Sequence, residues 1–174
     1  MMIPNKEVRI LYKDFVRLWF QKKMSSEQLR LFLEALTQGK PEQFKALLQL
    51  FAEQVFSYHD LPGQEAEGFY HAFVLGLLIN LEGRYEIKSN RESGSGRYDI
   101  ALTPKKNDPL GVILEFKGLK LKSKTRLDAA AAKALTQIEE KNYASEMRQR
   151  GVGRIFKIGV AARGKKVDIK SVID

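Results

Sequence analysis

The feature that most constrains the fold is a change of hydrophobic period near Leu81. Up to that point apolar residues recur at three- and four-residue intervals; beyond it they fall into short alternating or β-branched runs. Val8, Leu11, Phe15, Leu18 and Trp19 mark one helical face. Ser25 and Ser26 stand as a cap before Leu29, Leu33 and Leu36. Gly39 to Pro41 interrupts, and Phe44, Leu47, Leu48, Phe51 and Val55 resume the helical spacing. After the Leu61-Pro62-Gly63 break, residues 65–81 are predicted as a further helix with Phe69, Phe73, Leu77 and Leu78 on its core face.

Residues 85–90, 97–103 and 111–118 then read as three strands separated by turn-forming clusters. Residues 126–150 lack Gly and Pro and are rich in helix formers, which predicts one long helix. The small side chains from Ala129 to Ala132 would let it lie close to a sheet. Gly151 and Gly153 end it, and residues 154–162 and 166–169 complete the strands. The expectation is an α/β (α+β mixed) chain with α, β, β, β, α, β, β order from residue 63. Residues 1–60 form a helical extension and residues 61–174 the principal domain.

Composition limits the chemistry. With no cysteine and only His59 and His71, the chain offers no thiolate site and little material for zinc, so any metal is expected to be a hard cation held by oxygen. No apolar run is long enough for a membrane span and no secretory signal pattern opens the chain, so a cytoplasmic protein is expected. A formal charge of +9 favours an anionic partner, nucleic acid first; a basic surface serving solubility is the plainer account.

Within the apolar run 111–118, Glu115 and Lys117 are two apart and therefore share one face of the strand. Charges inside a buried strand need a compensating partner, although a solvent-facing edge strand would carry the same pair. Asp99 lies in the preceding strand, and a hairpin between the two would set its carboxylate beside Glu115. A magnesium ion would relieve the repulsion of such a pair, taking carboxylates, waters and phosphate oxygens as ligands. Lys117 would then stabilise charge building on the phosphorus centre or orient a hydroxide.

Other groups share helix faces by a spacing of four. Glu67 and His71 would look toward the same cleft, Glu67 the stronger candidate, or form a simple surface pair. Gln137 and Lys141, with Tyr143 nearby, suit phosphate contacts, as a solvated helix face also would. Lys117, Lys120, Lys122, Lys124 and Arg126 form a basic run suited to phosphates or simply solvated.

Taken together, Glu-x-x-x-His on a helix, Gly-Arg-Tyr-Asp, Glu-Phe-Lys and Gln-Ile-x-x-Lys-x-Tyr resemble the PD-(D/E)XK nucleases. More narrowly, Phe69-Tyr-His-Ala-Phe73, the segment from Ser89 to Gly94 and Ala134-Leu-Thr-Gln-Ile138 resemble the nuclease-like domain found behind AAA-ATPase-like modules in bacterial proteins. The resemblance covers residues 63–169. It implies a restriction-endonuclease-like αβββαβ core and Mg²⁺ or Mn²⁺ on Asp99 and Glu115. It further implies the Phe116 backbone carbonyl as a ligand, Glu67 as a direct or outer ligand, and Lys117 as the assistant to the hydrolytic water.

Gln137 would contact substrate or water, and Arg97, Lys141, His71 and Tyr143 complete the substrate-binding set. Tyr98 stands where the motif's name has Pro. The expected activity is phosphodiester hydrolysis of nucleic acid, DNA in preference to RNA; the alternative is a binding or regulatory module that keeps the fold without cutting. An AAA-ATPase-like module and a homodimer are the further partners considered. The segment from Ile3 to Val8 resembles the join between an ATPase lid and such a domain, and no Walker loop is present, so the chain is read as a domain of a longer protein or a shortened relative.

Overall fold

A computed structural model describes residues 25–55, 66–93, 96–105 and 110–174. The elements are α1 (Ser26–Thr37), α2 (Pro41–Val55), α3 (Ala66–Leu78) running into a 3-10 turn (Ile79–Leu81), β1 (Tyr85–Ser93), β2 (Gly96–Pro104) and β3 (Gly111–Gly118). They continue with α4 (Leu127–Glu140), α5 (Ser145–Gln149), β4 (Ile155–Arg163) and β5 (Lys166–Ile173). The expected helical face from Val8 to Trp19 and the Leu61-Pro62-Gly63 break lie outside the described residues.

Local chemistry sets the helix ends. The Ser25 hydroxyl accepts from the Gln28 N–H and the Gln28 side chain accepts from the Ser25 N–H, a reciprocal cap that satisfies two orphan donors at the start of α1. Gly39, at φ 66°, takes the left-handed turn that ends α1, and Pro41 pre-sets the first turn of α2.

The sheet order is β1-β2-β3-β4-β5, antiparallel throughout except for the parallel β3/β4 pair. That parallel pair requires a crossover, and α4 with α5 supplies it. On one face Val112, Leu114 and Phe116 join Phe32, Phe44, Phe51 and Phe73 of the first three helices in one apolar core. Gln49 ties α2 to β5, its side chain donating to the Lys165 carbonyl and accepting from the Val167 N–H.

The other face is closed by α4 and α5, where Ile113 packs with Ile138, Met147 and Ile155. Here α4 lies flush on β4. A Cβ at Gly159 would stand 2.2 Å from the Ala131 carbonyl oxygen and 2.4 Å from the Leu135 nitrogen. The residues that permit this are Ala130, Ala131 and Ala134, which are buried, whereas Ala129 and Ala132 face outward.

One expectation is corrected. Residues 126–150 do not form a continuous helix: α4 stops at Glu140, Asn142 turns left-handed at φ 51°, and α5 restarts at Ser145. The bend buries Tyr143, Ala144 and Met147 beneath the sheet, and that burial overrides the helix propensity of the segment. β1 and β5 also run further than the periodicity predicts, to Ser93 and Ile173, because β2 and β4 pair with their ends. Among the described residues no helix is long and apolar enough to cross a membrane.

Candidate active site

β3 is buried as far as Phe116, with Glu115 inside that buried run and Lys117 just beyond it. Its ladder with β2 stops at Ile100 and Leu114, so Asp99 and Glu115 are the next residues along the two strands. The β1/β2 pairing also skips a step here, between Ser89–Ile100 and Arg91–Tyr98, where Asn90 is left-handed at φ 51°. Side-chain directions shift across this step: Ile100 joins the core under the first three helices, while Tyr98 joins the cluster under α4 and α5.

Asp99 is thereby turned into the gap between β2 and β3. Its Oδ2 accepts the Phe116 N–H at 2.8 Å, standing in for the backbone acceptor that the interrupted ladder no longer supplies. In an extended strand the N–H and C=O of one residue leave on the same side, so the Phe116 carbonyl faces this gap too.

Glu115 is 2 % exposed. Its Oε1 accepts from Lys117 Nζ at 3.2 Å and from Gln137 Nε2, while its Oε2 is buried and has no hydrogen-bond partner among the described residues. Burial pushes its pKa up to about 7, the Asp99 charge adding to the rise, with Lys117 and the Asp99 peptide N–H opposing it. Asp99 is raised as well, by burial first, against the pull of the Phe116 N–H and His71. Two neighbouring carboxylates that both resist ionisation mark a place that gains from a proton or a cation.

α3 approaches from the opposite side. Glu67 Oε2 accepts the Gly118 N–H at 3.1 Å, and a Cβ at position 118 would lie 2.7 Å from the Glu67 nitrogen, so glycine is what lets the helix start meet the end of β3. His71 Nε2 lies 2.8 Å from Ser89 Oγ and 3.2 Å from the Asp99 carbonyl oxygen, and its ring meets Phe116 edge-on. A bond to that carbonyl requires hydrogen on Nε2.

The structure thus brings Asp99, Glu115, Lys117, Gln137, Glu67 and His71 to the end of the β2/β3 gap. Tyr143 sits behind them: buried, edge-on to Tyr98, its hydroxyl 3.2 Å from Gln137 Nε2. Lys141 is exposed and its stem runs over Gly96 beside the Tyr143 hydroxyl. The side chain of Arg97 lies outside the described residues. Sequence reasoning gave Ser89 no role, although it lies in a quoted motif, and passed over Gly159, where a glycine inside a strand signals close approach of another backbone.

Among the described residues no three His, Cys, Asp or Glu side chains form a ready-made cage for a metal. Two carboxylates with a main-chain carbonyl are what a small hard cation takes when water and phosphate oxygens supply the rest, so the all-oxygen donor set fits Mg²⁺ or Mn²⁺. The family model of the PD-(D/E)XK nuclease superfamily matches residues 65–172, and the chain belongs to that superfamily, whose nucleases typically use divalent metals. No curated protein matches the chain.

Proposed function

We propose that the chain is a divalent-metal-dependent nuclease that hydrolyses phosphodiester bonds in nucleic acid, DNA in preference to RNA, at the end of the β2/β3 gap. The observation that carries this reading is Glu115, a carboxylate 2 % exposed that neighbours Asp99 and keeps one oxygen without a hydrogen bond among the described residues. A charge kept only for the scaffold would be costly in that state.

Asp99, Glu115 and the Phe116 carbonyl would hold the cation, with Glu67 as a direct or water-linked ligand. When bound, Mg²⁺ or Mn²⁺ would supply Lewis-acid polarisation of the phosphoryl oxygens and a water more acidic than bulk water. Lys117, with its side chain 26 % exposed, is the ammonium that touches Glu115. Its charge offsets the negative charge that builds on the phosphoryl group, and its hydrogens orient the attacking water. Gln137 holds Glu115 Oε1 from α4, and Tyr143 in turn holds the Gln137 amide. The net charge of +9 draws the polyanion in.

The same reading keeps an AAA-ATPase-like module as partner, with residues 1–60 as the helical segment leading to the nuclease domain at 61–174. Incubating the protein with duplex DNA, single-stranded DNA and RNA, with Mg²⁺ or Mn²⁺, beside Glu115→Gln and Lys117→Ala, tests the activity. Cation-dependent cleavage lost in both variants is the expected result. Wild-type binding without cleavage would instead make the domain a non-cutting recognition module, and cleavage that survives both substitutions would remove the assigned site.

A further inference from the structure

From Lys117 to Arg126 the sequence carries five cations, Lys117, Lys120, Lys122, Lys124 and Arg126, and no acid until Asp128. Elsewhere among the described residues Arg30, Lys45, Lys88, Arg148, Arg150 and Lys157 each face a carboxylate, while scattered single cations such as Lys133 and Arg154 do not. Arg126 also faces one, that of Asp128. Lys120, Lys122 and Lys124 are exposed and have no ion-pair partner among the described residues.

Like charges this dense favour a spread, solvated chain. The segment is instead pinned. The Leu119 N–H donates to the Ala162 carbonyl at 2.8 Å, and the Ser123 N–H donates to the Lys120 carbonyl at 2.8 Å. Arg163 Nη1, from the end of β4, donates to the Ser123 carbonyl at 3.0 Å and the Thr125 carbonyl at 3.4 Å. Leu121 rests over Gly164, where a Cβ would lie 3.1 Å from its Cδ2. An arginine thus grips main-chain carbonyls and fixes the backbone that carries three unpaired lysines, three to seven residues beyond Lys117 in the chain. Ordering them in advance lowers the entropy cost of receiving an extended anion.

We propose that residues 119–126 are a preformed docking surface for the sugar-phosphate backbone beside the scissile bond. Lys120, Lys122 and Lys124 contact phosphates, and Arg163 is the positioning residue that holds the loop. This rests on the nuclease reading and names the surface along which its substrate lies.

The test is fluorescence anisotropy with a labelled 20-base-pair DNA duplex in EDTA, titrated across salt concentrations. It compares the wild type with the triple variant Lys120→Gln, Lys122→Gln, Lys124→Gln and with Arg163→Lys, each checked for folding by circular dichroism. Each phosphate contact contributes about 0.9 to the slope of log affinity against log salt, so the triple variant is expected to lose about 2.7 from that slope. Arg163→Lys keeps the charge but loses the paired grip on the two carbonyls, and is expected to bind several-fold more weakly at low salt. A triple variant with the wild-type slope, while the wild type still binds and cuts, overturns the docking surface and leaves the nuclease reading standing. Arg163→Lys binding as the wild type does removes the positioning role. A wild type that binds no duplex at any salt concentration sinks the nuclease reading and this surface together.

Discussion

Glu115 and Lys157 are buried charges on the neighbouring strands β3 and β4, and the protein treats them in opposite ways. Lys157, 3 % exposed, reaches Glu139 Oε1 and Asp174 Oδ2, each at 2.8 Å. Burial lowers its pKa, but the hydrogen bonds and charges of Asp174 and Glu139 outweigh that and the net shift is upward. Glu115, at similar depth, has Lys117 and Gln137 on one oxygen and no partner among the described residues on the other; its pKa rises to about 7. A buried charge with its counter-charges in place braces α4 and the chain end against the sheet. One left short of positive charge beside a second carboxylate is disposed to take up a cation.

The largest separation between the two should come from activity and stability measured side by side. Glu115→Gln and Lys117→Ala are expected to lower cleavage by at least about 10²-fold, while Glu115→Gln melts no lower than the wild type because it relieves a buried carboxylate. Lys157→Ala should do the reverse, costing about 2–4 kcal/mol in urea unfolding through lost charged hydrogen bonds and a cavity. Equal destabilisation in the two variants would erase the distinction.

Acidity gives a second handle. Native Glu115 keeps its proton to about pH 7, against 4.5 for the ordinary side chain, so between those values the native state binds more protons than the unfolded one. Stability of the metal-free protein should therefore fall as pH climbs through that window, by up to about 3 kcal/mol, with the raised Asp99 adding to the same trend. Glu115→Gln should flatten much of the profile, and urea midpoints taken from pH 4 to 8 would show it. A profile unchanged by the substitution would mean that Glu115 is ionised at low pH like a solvated carboxylate.

Smaller effects test the α4 seat that both charges share. Gly159→Ala sets a methyl against helix backbone and is expected to cost about 1–3 kcal/mol and to weaken the Gln137 contact with Glu115. No loss in thermal unfolding would mean that α4 does not lie flush on β4. Tyr143→Phe removes one partner of the Gln137 amide, and should cost about 1 kcal/mol or less with a few-fold fall in cleavage.

The strands and the meeting of Asp99 with Glu115 were legible because they rest on short-range pattern. The limits of β3 follow from its apolar run, and two charges two apart in such a run must share a face. The break at Asn142 was not legible, because no Gly or Pro announces it; the turn follows from burying Tyr143 against Tyr98, a contact between residues far apart in sequence. Lys157 carried the same signal as Glu115, one charge amid apolar residues, but its partners Glu139 and Asp174 become neighbours only once α4 and the chain end are in place. The ladder pair missing between Asn90 and Asp99 likewise depends on strand pairing that alternation alone does not encode.

The disposition of Glu115 and Asp99 toward a cation is tested most directly by thermal melts with increasing Mn²⁺ at pH 8, above the value of about 7 to which burial raises Glu115. The account expects the wild-type melting temperature to rise with Mn²⁺ concentration and Glu115→Gln to show no rise. An equal rise in both proteins, or none in either, would contradict it.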